Sequence, residues 1–133
     1  MKYEASFLIL SLALLFSPSS AYAHHSFAAE YDTDKPVQIT GTVTKVEWTN
    51  PHVHFYVDVK TNQGEVVNWN IELGPPLILR HLGWRQDSLK TGDQVTVEGY
   101  LAKDQSNLAN AKKVTLADGR SVFAGSSAEK RGE

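Results

Sequence analysis

Five segments of period-two apolar alternation, a slip of parity inside the first, and a short helical stretch between the third and fourth predict an all-β fold with one short helix. That element order is the order of an OB-fold-like five-stranded barrel, whose first strand is long and bent.

The first strand is expected from Val37, where Val37, Ile39, Gly41 and Val43 alternate with Gln38, Thr40, Thr42 and Thr44. Val46 and Trp48 then carry the apolar side on even numbers, so a bulge is expected near Thr44-Lys45, and Asn50-Pro51 ends the segment as a turn. In the second strand Val53, Phe55, Val57 and Val59 face inward, against His52, His54, Tyr56 and Asp58. Thr61 to Gly64 supplies turn chemistry. The third strand turns Val67, Trp69, Ile71 and Leu73 inward and Asn68, Asn70 and Glu72 outward. Gly74-Pro75-Pro76 stops it, Pro76 opens a helix through His81, and Gly83-Trp84 ends that helix. Val95, Val97, Gly99 and Leu101 form the inward side of strand four. Leu108 to Leu116 is a less regular fifth strand, and Val122-Phe123 is long enough for an added edge strand.

The domain plan is a signal peptide over 1–23, a polar arm over 24–36, the barrel over 37–125 and a disordered tail over 126–133. Ala5 to Phe16 is an uncharged apolar run after Met1-Lys2, and Ala21-Tyr22-Ala23 is a small-residue cleavage site. That run is too short to span a bilayer, which needs roughly 20 residues. The expected location is therefore the periplasm or the exterior, with the mature chain starting at His24. The whole chain carries 13 Lys and Arg against 15 Asp and Glu, and the leader removes one of each, so the mature charge is also −2. A weakly acidic chain argues against nucleic acid, which is bound through a basic surface. There is no basic amphipathic stretch for a membrane surface. No cysteine is present, which excludes thiol catalysis and thiolate metal sites.

Histidines carry the sharpest chemistry. Cleavage after Ala23 leaves the α-amine and imidazole of His24 beside the imidazole of His25, a nitrogen chelate suited to copper(II). His52 and His54 share one strand face roughly 7 Å apart. A turn at Asn62-Gln63-Gly64 sets His54 opposite Asn70 or Glu72. The expected metal ligands are therefore His24, His25, His52 and His54, with copper(II) as the cofactor. Against this stands a plain reading in which a His-His arm is solvated and strand histidines are ordinary surface residues. His81 suits the negative end of the short helix better than a metal. A rival binding face for a protein, peptide or glycan uses Tyr56, Asn70 and Glu72, with Trp48 beside Asn50 as a stacking platform. No pair among the carboxylates Glu47, Asp58, Glu72 and Glu98 has a spacing that implies acid–base work, and there is no nucleophile elbow or phosphate loop, so no enzyme activity is expected.

His24-His25-Ser26-Phe27, Gly41-Thr42-Val43, Glu47-Trp48-Thr49-Asn50-Pro51-His52, Gly83-Trp84, Leu89 to Val97 and Asp118-Gly119-Arg120 together resemble an uncharacterised family of small exported bacterial proteins. The resemblance spans nearly the whole mature chain. It implies export and the barrel fold, and it implies no activity.

Export and cleavage can be read directly. Mass spectrometry of the protein recovered after export is expected to give a chain beginning at His24, and a first residue at or before Ala21 would remove the terminal chelate.

Overall fold

The computed structural model describes residues 27–126. The expected leader, His24, His25 and tail residues 127–133 lie outside the described residues. Strand β1 covers Tyr31–Glu47, β2 His54–Lys60, β3 Val66–Glu72, β4 Gln94–Ala102, β5 Leu108–Leu116 and β6 Ser121–Phe123. Helix α1, Pro76–His81, lies between β3 and β4. The strands follow the order β3-β2-β1-β4-β5-β6, and a parallel β3–β5 pairing closes the first five into a ring. This is the expected OB-type barrel. β6 is a sixth strand, hydrogen-bonded to the outer edge of β5.

Ring closure requires β1 to serve two neighbours. Its first part pairs with β4 and its second with β2, and the register slips between Val43 and Lys45. The bulge therefore sits at Thr44, where the apolar parity changes, and it bends β1 from one partner to the other. Backbones approach closely where the strands coil. A Cβ on Gly41 would fall on the carbonyl oxygen of Asp58, and one on Gly99 on that of Asn110. At these positions glycine is required by space, not by dihedral freedom.

The inward rows meet as expected. Val43, Phe55, Val57, Ile71, Leu79, Val97 and Val114 are fully buried in one cluster. Each such side chain contributes about 1.5–3 kcal/mol on burial. Pro76 opens α1, and Leu82 closes it before Gly83 at φ +95°.

Four local expectations change. β1 begins at Tyr31 rather than Val37, and residues 27–30 are helical, so the described part of the polar arm is structured. Phe27, Tyr31 and Ala102 form a second buried cluster with Tyr100 and Leu108 against it. Leu101 is only half-buried, while its neighbour Ala102, on the opposite side of β4, is buried in that second cluster with Phe27 and Tyr31. Ser126, the first residue of the expected disordered tail, is buried and donates to Asn110 Oδ1 at 2.6 Å. Glu72, expected outward and solvated, is only 8 % exposed.

Gly41→Ala and Gly99→Ala should each cost about 3 kcal/mol or more, since the new methyl meets a backbone that cannot retreat. Gly64→Ala, at φ +83° with open space around it, should cost only about 1–2 kcal/mol. Urea unfolding midpoints at constant slope would check the contrast.

Candidate functional site

Pairing of β2 with β3 sets His54 opposite Glu72, Tyr56 opposite Asn70 and Asp58 opposite Asn68. Alternation then puts all six side chains on the outer face of the ring. His52 lies two residues before the start of β2 and shares that parity. Its Nδ1 lies 3.0 Å from Glu72 Oε1. His54 Nδ1 lies 2.8 Å from Asn70 Oδ1, diagonally across the ladder. With an amide oxygen as acceptor, the His54 Nδ1 carries the proton.

Glu72 is the centre of this group. Tyr31 donates its hydroxyl to Glu72 Oε2 at 2.6 Å, and Asn110 Nδ2 donates to Oε1 at 3.2 Å. Asn110 stands on β5 directly beside Glu72 in the parallel pairing that closes the barrel. Burial pushes the Glu72 carboxyl up, but hydrogen bonds from His52 and Tyr31 and the charges of both histidines outweigh it and leave it below the usual range. The Glu72 hydrogen bond raises His52 above its ordinary value despite partial burial. Burial, then Glu72, pushes the Tyr31 phenol well above its ordinary value. Glu30 belongs to the same neighbourhood: burial and the Glu72 charge raise its carboxyl, while His54 and His52 act against that.

Thus His52, His54, Asn70 and Glu72 come together, and Tyr31, Glu30, Asn110 and Ser126 join them unforeseen. Asn110 is a polar residue between two buried alanines, a faint signal obscured by the bulge beside it. Tyr56 is on the same face, but its hydroxyl donates to Glu47 Oε2 at 3.1 Å and Lys45 lies over its ring. Trp48 packs against the barrel core instead of standing out as a platform, with its Nε1 buried and unpartnered among the described residues. Asn50 is exposed at the turn, one residue before Pro51. His81 is exposed in the last turn of α1. Among the described residues, no three His, Cys, Asp or Glu side chains gather closely enough to hold a metal by themselves. No described helix is long and apolar enough to cross a membrane.

A family model described as a family of unknown function, DUF6152, matches residues 13–111. No curated protein matches the chain. Among solved structures, the mitochondrial single-stranded DNA-binding protein of S. cerevisiae is similar at 15 % identity and a TM-score of 0.49, over 62 % of this chain and 93 % of that one.

The His52–Glu72 pair has a defined pH window. Glu72, lowered when folded, contributes stability above its ordinary value of 4.5 and loses it as pH falls through the folded value. His52, raised when folded, contributes fully below its ordinary 6.5 and loses that as pH rises through the folded value. A double-mutant cycle of His52→Gln and Glu72→Gln is therefore expected to show stronger coupling near pH 5.5 than near pH 8.5. Equal coupling at both would mean that the pair is held by packing, not by charge.

Proposed function

The chain belongs to DUF6152, a family of unknown function, and we propose that it is an exported copper(II)-binding module. In this reading His52 and His54 ligate through Nε2, and the amine and imidazole of His24, with His25, complete the site once the leader is removed after Ala23. One observation carries it: both histidines have Nδ1 tied to an oxygen acceptor, His52 to Glu72 and His54 to Asn70. Metal-bound histidines are commonly held this way, one ring nitrogen fixed by a carboxylate or carbonyl and the other presented to the ion. No hydrogen bond engages either Nε2 among the described residues.

The amino-terminal segment supports the reading. Glu30 is near enough to both histidines to feel their charge. Residues 27–30 are helical, and a chain from Glu30 back to His24 covers on the order of 15 Å, enough to bring a terminal chelate to the same face. A nitrogen-rich, thiolate-free donor set favours copper(II), which leads the affinity order for such ligands. The rival reading, an interaction face for protein, peptide or glycan, has less to offer. Asn68 donates to Asp58 Oδ1 at 2.8 Å and to Thr44 Oγ1 at 3.2 Å, and Tyr56 is engaged by Glu47, so that face is largely satisfied within itself.

Calorimetric titration of copper(II) into the processed protein tests this. Tight one-to-one binding is expected, weakened when one residue is added before His24 and weakened again in His52→Gln/His54→Gln. Asn70→Ala, which touches no metal in this arrangement, should cost about 10–100-fold in affinity by freeing the His54 ring. Absence of tight binding, or affinity indifferent to all three changes, would overturn the assignment.

A further inference from the structure

Helix α1 is apolar on both sides. Pro76 and Leu79 are buried in the barrel, yet Leu77 is 63 % exposed, Leu82 just beyond the helix 40 % and Ile78 38 %. A surface helix ordinarily pairs one apolar side with a polar one, whereas here Leu77 and Ile78 share the exposed side with Arg80 and His81. Beside it Phe123, on the edge strand β6, is 58 % exposed. The two elements are joined: Trp84 donates its indole Nε1 to Phe123 O at 2.8 Å, and Ile78 closes on Gly125, two residues beyond Phe123. Four large apolar side chains therefore emerge from neighbouring elements at one place, although the sequence between them contains no long apolar stretch.

The segment that carries Leu77, Ile78 and Leu82 is also cationic. Arg80 and Arg85 are exposed and make no ion pair among the described residues. With Trp84, Gln86 and Asp87 they line an open concavity of about 550 Å³, in which Asp87 supplies the only carboxylate. This local excess of positive charge stands on a chain whose formal charge is −2. A second copy of the chain is a poor occupant, because a two-fold contact would bring these arginines towards their own images. Exposed leucine and phenylalanine with arginines at the rim instead suit the boundary between lipid headgroups and acyl chains. Arginines there keep their charge at the phosphate level while the stems lie along apolar surface.

We propose that this end of the barrel docks on an anionic phospholipid surface. Leu77, Ile78, Leu82 and Phe123 enter the interface, and Arg80 and Arg85 engage headgroup phosphates. The proposed surface is assembled from α1, the segment after it and β6, not from a single basic amphipathic stretch. The inference does not depend on the metal site.

Co-sedimentation with vesicles of phosphatidylglycerol and phosphatidylcholine, against phosphatidylcholine alone, tests it on the processed protein. Binding to the anionic vesicles is expected, weakened by salt. Leu77→Ser/Phe123→Ser and Arg80→Gln/Arg85→Gln should each lower the partition coefficient by about tenfold or more. All four positions are exposed, and circular dichroism would confirm an intact fold. Equal binding to both vesicle types, no binding, or variants that partition like the parent would overturn the proposal. Retention on immobilised polyglutamate, with vesicles left unbound, would instead assign the patch to an acidic polypeptide.

Discussion

A carboxylate held at the closing seam of a barrel must have both oxygens satisfied, or its burial would cost several kcal/mol. Glu72 meets that condition with partners from three other parts of the chain. Tyr31 comes from the start of β1, His52 from the turn before β2, and Asn110 from β5, while Glu72 itself ends β3. Ser126 extends the group by donating to Asn110. The parallel β3–β5 contact is the least extensive pairing in the ring, three residue pairs from Asn70–Leu108 to Glu72–Asn110. Side-chain bonds over its last pair therefore reinforce the ring where the backbone ladder is shortest. The same carboxylate fastens the amino-terminal segment through Tyr31 and orients His52. Fold closure, the placement of residues 27–31 and the geometry of the candidate site thus share one group.

Tyr31 reaches Glu72 because the Phe27 cluster carries the chain across the outer face. Phe27 lies 5.3 Å from Tyr31 and 6.3 Å from Tyr100 between ring centroids, the latter edge to face. These contacts bury apolar area outside the main core, and Lys103 adds hydrogen bonding to the backbone of Ala28. The segment is therefore a packed flap beside the histidines, and the Glu72 end of the polar side of β3 is buried on its account, while Asn68 stays exposed.

Much of the barrel was legible because alternation in a strand reports directly on which face is buried. The bulge at Thr44, the β2–β3 register, the Pro76 helix and the edge strand near Phe123 all left marks in the order of residues. What failed to show depends on contacts between distant segments. Glu72 reads as solvated by parity, and only the arrival of Tyr31 makes it interior. Tyr31 itself sits in a stretch, Tyr31 to Pro36, too polar for a strand pattern, which pairs with β4 only at its two ends. Ala102 is buried because Phe27 and Tyr31 pack on the outer side of β4, which the alternation of β4 alone cannot reveal. Of the candidate site, the pair of histidines and their neighbours Asn70 and Glu72 followed from strand register, and the second layer of Tyr31 and Asn110 did not. The charge sum likewise concealed the Arg80 and Arg85 patch, because a net value says nothing of where the charges stand.

The role of Glu72 in folding and its proposed role in orienting a metal ligand are compatible for a chemical reason. Its contact with His52 is through Nδ1, so a protonated ring carries its second proton on Nε2, on the far side of the imidazole. A metal ion at Nε2 would replace that second proton and leave the Nδ1 hydrogen bond to Glu72 in place. Positive charge next to the carboxylate is then kept whether the ring holds a proton or a cation. Tyr31 and Asn110, which bond the carboxylate oxygens, face no rearrangement in either state. As the ring stands, occupation of the site and closure of the barrel draw on the same carboxylate without competing for it.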